Sequence, residues 1–367
     1  MKPTSWLIFL VSNSLPTHRL PPRGPALRGG LLALTAAVLF GVSTPLVQRF
    51  GAGTGAFTTA ALLYVGAAAA GALLRRRVEH EARILPGDFP RLLAMAAAGA
   101  VIGPVALAWG LQRTSATSAS LMLTLEAVFT AVLAWRMYRE TLDRRVRTAM
   151  LMLVLGGALL IVNQGQTGGA GLSGLLAVLL ATAAWGLDNT LSRSLAGRDP
   201  GQVVLAKAVL GATATSILAV AFGESLPTLG AALGLFAVGA TGYGLSLRFY
   251  LLAQRAFGAA RTGSVFAFAP FIGAALAVVL GDQSFSWLMA AGSLLMLAGV
   301  MLHLAESHGH EHQHEPMEHE HAHRHDDGHH DHVHDPMPAG AHSHQHRHDT
   351  RRHVHPHVPD AHHAHHH

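Results

Sequence analysis

Ten apolar runs fill residues 29–305, and each is about as long as a helix that crosses a lipid bilayer. In hydrocarbon every backbone N–H and C=O must be bonded within the protein, which only helices and closed barrels achieve. The runs do not alternate between apolar and polar residues, which favours helices. We therefore predict an all-α membrane protein with ten transmembrane helices, at about 29–48, 56–74, 90–111, 116–136, 146–163, 172–195, 202–222, 229–252, 260–281 and 284–304.

The composition also indicates a lipid environment and excludes several classes of protein. Half of the residues are apolar and only 13% are charged, whereas a soluble protein usually carries about 25% charged residues. The chain has no cysteine, which excludes a disulfide framework and a thiol nucleophile. Because the sequence contains no phosphate-binding loop and no hydrolytic or redox constellation, we predict that the protein is not an enzyme and requires no cofactor. No basic stripe with interleaved aromatic residues indicates a nucleic-acid partner.

The distribution of arginine predicts how the chain is inserted. Arginines cluster around the loops after the second and fourth runs, whereas the segments 164–171 and 223–228 contain none. Basic loops stay in the cytoplasm, so both termini are expected there. Only two of the 26 basic residues are lysine, and Ala and Gly are abundant, which suggests a bacterial inner membrane. Residues 1–28 hold no run that could span and are predicted to be a disordered cytoplasmic segment.

Two sequence similarities divide the runs into two sets of five. Phe40-Gly41 is matched by Trp185-Gly186, 145 residues later, and Gln112-Arg113 by Gln254-Arg255, 142 residues later. Five spans per repeat is an odd number, so the two halves would face opposite ways, as in secondary transporters whose site lies between inverted repeats near mid-depth. The predicted organisation is an N-terminal segment, two five-helix repeats and a tail, at residues 1–28, 29–163, 172–305 and 306–367.

Residues 29–305 resemble the EamA-type members of the drug/metabolite transporter superfamily. The stretches that carry the resemblance are Phe40–Pro45, Thr114–Leu121, Val128–Ala134 with Glu140 after it, and Gly299-Val300. The resemblance implies a ten-helix carrier that exports small metabolites or drugs by alternating access. It also implies that the fifth and tenth helices lie outside the cavity, where they would mediate a homodimer.

The sequence departs from this family in the fourth run. Many members have Pro near its middle, but here the chain reads Leu125-Glu126-Ala127. The second repeat keeps the corresponding Pro270, and it ends in Asp282 where Glu is commoner. The substrates of better-studied relatives are therefore not transferred to this chain.

Several polar side chains within the apolar runs are candidates for a substrate or proton pathway. Ionisable groups at bilayer depth are costly and mark pathways or relays by default. Glu126 lies near the middle of its run, and burial favours the neutral form of a carboxylic acid, so we expect it to carry protons. The other candidates are Asp188, Asn189, Lys207, Arg248, Trp109, Trp185, Tyr243 and Pro270.

Structural roles compete with these functional ones. Lys207 and Arg248 could instead extend to the membrane surface, and Asp188 could form an ion pair with either of them. Aromatic residues near span ends are more often interface anchors than cavity walls, which is the interpretation that we favour for Tyr250.

Histidine dominates the tail, where it provides 24 of the 60 residues from His308 onward. Neutral imidazole is a common metal ligand, so the tail is predicted to bind Zn²⁺, Ni²⁺, Co²⁺ or Cu²⁺. With few apolar residues it should be disordered without metal; a drifting low-complexity tail and a pH sensor remain alternatives. The predicted ligands are His308, His310, His312, His314, His319, His321, His323, His325, His329, His330, His332, His334, His344, His346 and His348.

Together these features predict a proton-coupled secondary transporter that exports a small metabolite or drug and carries a metal-binding tail. Its expected partners are the lipid bilayer, a small-molecule substrate and divalent metal ions. Two alternatives remain. One is a transporter of Ni²⁺, Co²⁺ or Zn²⁺, which is disfavoured because the apolar runs hold few candidate metal ligands. The other is a non-transporting membrane anchor for a metal-buffering tail.

Overall fold

The computed structural model describes residues 23–74, 84–138, 142–167, 169–192, 195, 198–257, 259–282, 284, 286–304, 308–313, 317–323, 342–348 and 352–357. Residues 1–22 and Glu140 lie outside the described part of the chain, and so do the predicted ligands His314, His325, His329, His330, His332 and His334.

Between Arg23 and Leu304 every described regular element is a helix. The helices are α1 Arg23–Gly51, α2 Ala56–Leu73, α3 Phe89–Ala96, α4 Gly103–Leu111, α5 Ala116–Met122, α6 Glu126–Tyr138, α7 Arg144–Thr167, α8 Gly169–Ser192, α9 Pro200–Ala221, α10 Leu229–Val238, α11 Ser246–Phe257, α12 Ala259–Phe266, α13 Ala269–Val279 and α14 Trp287–Leu304.

Within the described residues, nine helical segments are long and apolar enough to cross a membrane. Several of them combine two of these helices, such as Pro86–Leu111, Ala116–Tyr138 and Leu229–Ala253. The tenth predicted span corresponds to α14, whose described part, Trp287–His303, is a shorter apolar helix, so ten crossings stay a prediction. Large apolar side chains such as Leu151, Ile217 and Leu294 are more than half exposed, which fits a surface in contact with lipid.

Two π-helical segments lie at corresponding places in the two halves of the chain. One, Ala97–Ile102, joins α3 to α4, and the other, Gly239–Leu245, joins α10 to α11. Their first residues are 142 residues apart, which is the offset of one of the two sequence similarities. Single π turns often occur at functional sites because they interrupt the regular backbone hydrogen bonding. The inverted orientation of the halves stays a prediction.

Helices α7 and α14 pack against each other beside the other helices. Their backbones approach closely at Gly156, where an added Cβ would lie 2.5 Å from Met296 Cγ and 2.8 Å from the Gly292 carbonyl oxygen. Small residues permit such approaches between membrane helices. Among the described residues, neither helix contributes to the cavity described below. The homodimer stays a prediction.

The tail differs from the expectation that it lacks regular structure. Four strands are described, β1 His308–Gln313, β2 Met317–His323, β3 His342–His348 and β4 Arg352–His357, and β1 pairs with β4 while β2 pairs with β3, both antiparallel. The His-x-His alternation has a period of two, which is that of a strand. The tail's two similar copies can therefore satisfy their backbone groups by pairing with each other.

Candidate functional site

A cavity with an empty volume of about 820 Å³, including the solvent space at its mouth, lies between the helices of the two halves. It runs from the π segment near Gly99 towards the ends of α8 and α9 that lie beside the arginine-containing loop at Arg198. The residues around it are Phe40, Tyr64, Ala67, Gly99, Glu126, Trp185, Asp188, Asn189, Val204, Lys207, Ala208, Gly242, Tyr243, Ser246, Leu247, Tyr250 and Phe266.

Four polar side chains form two adjacent contacts in this cavity. Lys207 of α9 forms an ion pair with Asp188 of α8, whose side chain is almost completely buried. The next residue of α8, Asn189, donates a hydrogen bond from Nδ2 to Glu126 Oε1 at a distance of 2.6 Å. Helix α8 therefore holds both carboxyl groups, one by a charge and one by a neutral amide.

The π segment of the third span determines where Asp188 lies. An added Cβ at Gly99 would overlap the Asp188 carboxyl group, so this position leaves room only for glycine. The Gly99 carbonyl oxygen accepts hydrogen bonds from Tyr64 Oη at 2.6 Å and from Trp185 Nε1 at 2.9 Å. These two buried donors stabilise the altered backbone at the point where it contacts the carboxylate.

Aromatic rings form much of the remaining wall. Phe40 lies at the centre of the cluster, with ring centroids 6.2 Å from Trp185, 6.1 Å from Tyr243 and 5.4 Å from Phe266. Tyr250 packs edge-on against Phe266 at 4.9 Å. The cavity thus combines a small charged region with a large apolar surface, as in many sites for small molecules.

The structure brings six of the predicted pathway residues together around the cavity: Glu126, Asp188, Asn189, Lys207, Trp185 and Tyr243. Arg248 lies elsewhere, where Nη1 donates a hydrogen bond to the Leu74 carbonyl oxygen at 2.9 Å. Lys207 is buried by its ion pair with Asp188 and does not extend to the surface.

Three sequence interpretations are corrected by these positions. Trp109 does not belong to the cavity wall, because it is 38% exposed and stacks under the Arg113 guanidinium at 3.7 Å. Pro270 lies in the first turn of α13, away from the cavity lining. Tyr250, which we interpreted as an interface anchor, lines the cavity because its face of α11 packs against Phe266.

Comparison with known proteins agrees with this geometry. The sequence pattern of the EamA-like transporter family matches residues 27–163 and again residues 172–305. The chain belongs to the EamA-like transporter family.

Two relatives of this family member illustrate the match. An "Uncharacterized transporter" of Methanothermobacter thermautotrophicus (strain Delta H) is 26% identical over 325 residues, which is 80% of this chain and 92% of the relative. A protein known from a crystal structure is similar in fold, with a TM-score of 0.57 at 20% identity, over 76% of this chain and 98% of that one. The protein is therefore a multi-pass membrane protein of a transporter family.

Proposed function

We propose that this EamA-like protein is a secondary active transporter that exports a small organic solute in exchange for a proton. The observation that carries the proposal is the enclosed pair of contacts, Asp188 with Lys207 and Asn189 with Glu126, in a cavity between the two halves. A buried charge without a partner is costly in a medium of low polarity. The cavity holds two acids but one lysine, so an empty site is neutral when Glu126 holds a proton.

The proposed direction of insertion follows from the arginines. Arg136, Arg144, Arg145, Arg147 and Arg198 lie at the end of the bundle where α6, α8 and α11 end and where α7 and α9 begin. Basic loops remain in the cytoplasm. The cavity extends from mid-depth towards this end, so we infer that the structure represents a state that is open to the cytoplasm of a bacterial inner membrane.

The test of proton coupling replaces Glu126 with Gln, which keeps the hydrogen-bonding size but binds no proton. Proteoliposomes containing a pH-sensitive dye are exposed to a panel of small amines, amino acids and amphiphilic drugs. We expect solute-driven proton movement in the wild-type protein and none in Glu126→Gln. Asp143→Asn is the matched control, because Asp143 accepts from the Val146 N–H at the start of α7, away from the cavity. Undiminished coupling in Glu126→Gln would remove Glu126 from the mechanism.

The alternative of a metal transporter finds no support in the described part of the chain. Among those residues, no group of three or more His, Asp or Glu side chains is arranged to hold a metal ion. Lys207 also places a fixed positive charge beside one of the two cavity carboxylates, and this charge would repel a divalent cation. We therefore assign metal binding to the tail, as argued in the Discussion.

A further inference from the structure

One oxygen of the cavity carboxylates lacks a partner. Asp188 Oδ2 contacts Lys207, but Asp188 Oδ1 is buried and accepts no hydrogen bond from any described residue. An unsatisfied buried acceptor costs about 1–3 kcal/mol, more when it is charged. A ligand that donates an N–H or O–H hydrogen bond to this oxygen would remove that cost.

The charges that line the cavity favour a positively charged ligand. Glu126 and Asp188 are the acidic residues in the described lining, and Lys207 is the basic one. With both acids ionised the lining carries one net negative charge. A monocation compensates this charge fully, whereas an anion increases the imbalance and a divalent cation reverses it.

We propose that the transported solute is a monocationic amine that carries at least one N–H and an apolar, preferably aromatic, body. Its ammonium group donates to Asp188 Oδ1 and compensates the charge of Glu126, while its body packs against Phe40, Tyr243 and Phe266. Aromatic faces also attract cations directly. The inference rests on the proposed function and names the substrate class of the same site.

Charge balance then explains the exchange. When the amine is bound, Glu126 and Asp188 are both ionised, and Lys207 and the ammonium group balance them. When the amine leaves, Glu126 takes up one proton and the lining is neutral again. One monocation is exchanged for one proton, so the transport step moves no net charge.

The test compares ligands that share a charge but differ in their hydrogen-bond donors. Binding of phenethylammonium, its N,N,N-trimethyl analogue and phenylacetate to the purified full chain is followed through Trp185 fluorescence, with the other four tryptophans changed to Phe. Loss of a charge-assisted hydrogen bond should weaken the trimethyl analogue roughly tenfold or more relative to phenethylammonium. Equal binding of these two, or tighter binding of phenylacetate, would overturn the assignment.

A double variant removes the acceptor and keeps the net charge. In Asp188→Leu with Lys207→Met the ion pair is lost but Glu126 remains, so both cations should bind with similar affinity; persistent discrimination would contradict the role of Asp188. Retained binding of the trimethyl analogue shows that this variant is folded. If the wild type discriminates as expected but its transport moves no protons, the proposed coupling fails and the substrate class stands.

A second inference comes from the opposite end of the bundle, which we call the distal end: the loops 52–55, 112–115, 222–228 and 280–286. Helices α9 and α13 stop there in the same way. Gly223 and Gly281 have positive φ values of 65° and 98°, which glycine adopts at helix ends without strain. An acidic residue follows each glycine, and its N–H bonds back into the helix, Glu224 to Ala219 at 2.9 Å and Asp282 to Ala277 at 3.0 Å.

Both acids contact the N-terminus of a helix in the other half of the chain. Glu224 accepts from the N–H groups of Phe57 at 3.2 Å and Thr58 at 2.7 Å, at the start of α2. Asp282 accepts from the N–H and Oγ1 of Thr117 at 2.9 and 2.8 Å, at the start of α5. A carboxylate at a helix N-terminus is stabilised by unpaired N–H groups and by the helix dipole.

We infer that Glu224 and Asp282 form a two-point latch that keeps the distal end closed. Alternating access requires the two halves to separate at this end, and both contacts cross from one half to the other. Neutral hydrogen bonds reinforce the closure within the first half: Gln48 Nε2 donates to the carbonyl oxygens of Leu111 and Thr114, both at 2.8 Å.

The latch does not respond to pH near neutrality. Burial alone would raise the pKa of Asp282, but hydrogen bonds from Thr117 and Ser284 outweigh it and hold the pKa below its usual value. A lowered pKa in the closed state means that the contact is fully present above the usual pKa of an aspartate. It is lost only as the pH falls through the lowered value. Opening must therefore be driven by ligand exchange in the cavity.

The absence of native cysteine makes the latch testable. Thr44, buried in α1 one turn beyond Phe40 towards the distal end, is changed to Cys and labelled from the distal side with a membrane-impermeant maleimide. Adding Glu224→Gln or Asp282→Asn should raise the labelling rate roughly five- to tenfold, since each removes a charge-assisted contact. Asp143→Asn should leave the rate unchanged.

Labelling is normalised to total thiol after denaturation, so poorly folded protein does not count as opening. If both latch variants label at the wild-type rate, the latch is rejected. If only one variant labels faster, the closure depends on that single contact and the two-point arrangement is rejected.

Discussion

At the scale of single residues, the site depends on a glycine that carries no chemistry. Gly99 allows the Asp188 carboxylate to lie against the backbone of the third span, and its carbonyl oxygen receives the Tyr64 and Trp185 donors. The position of the ion pair is therefore determined by three neighbours that are not charged. A substitution here changes the charge geometry without changing any charge.

We expect Gly99→Ala to lower the free energy of unfolding by about 1–3 kcal/mol, because the added methyl group must displace a buried carboxylate. Ligand binding should weaken as well. Gly165→Ala is the matched control: nothing lies within 4 Å of an added Cβ there, so the change should be neutral or slightly stabilising. Thermal unfolding in detergent measures both variants, and an unchanged melting temperature in Gly99→Ala would contradict the packing.

The charged part of the site could be predicted from sequence, whereas much of the aromatic wall could not. Glu126, Asp188 and Lys207 stand out because charge at bilayer depth is costly. Phe40 was quoted only as part of a family stretch, and Tyr64 and Phe266 were missed. Helices in lipid lack the polar face that orients a soluble helix, so the sequence does not tell which ring faces inward. A hydroxyl in mid-span was the one available signal, at Tyr64.

At the scale of helices, the fold separates a working bundle from an accessory pair. The π segments and the cavity belong to the first four and the sixth to ninth spans, while α7 and α14 pack on each other through Gly156, Gly292 and Gly299. The bounds of the spans agree with the apolar runs to within a few residues. The π segments could not be predicted, because Gly-rich stretches in membrane helices are equally compatible with a regular α-helix.

Gly156→Leu should separate stability from transport. The larger side chain cannot fit against Met296 and the Gly292 carbonyl, so overpacking is expected to cost about 1–3 kcal/mol. Transport per folded molecule should change little, because this contact is remote from the cavity lining. Thermal unfolding and proteoliposome flux are measured on the same preparation, and a loss of flux without a loss of stability would contradict this separation.

At the scale of the whole molecule, the tail joins a soluble segment to a lipid-embedded body. The strand register places His310 opposite His355 and His312 opposite His353, and it places His319 opposite His346 and His321 opposite His344. Residues directly opposite in an antiparallel pair have Cβ atoms about 4.5–5.5 Å apart. Two such pairs in succession provide four imidazoles within a short length of chain, which supports our proposal that the tail binds divalent metal.

Deleting residues 308–367 should remove most high-affinity binding of Zn²⁺ or Ni²⁺ in equilibrium dialysis of the purified protein. Binding by the full chain should weaken as the pH falls below the usual histidine pKa of about 6.5, because protonated imidazole is not a ligand. The truncated protein should keep proton-coupled flux of organic solute. If the truncated body binds as much metal as the full chain, the assignment of metal binding to the tail is wrong.

Asp188 and Asn189 are neighbours on α8, yet each contacts a different helix: Lys207 on α9 and Glu126 on α6. A rigid rod that turns about its axis must carry both groups with it. The two arms of the exchange therefore share one shaft, and neither can slip while the other stays engaged. Leaky variants, which pass protons without cargo, should consequently arise where α8 itself is loosened, for example at Gly186, which packs against Phe129.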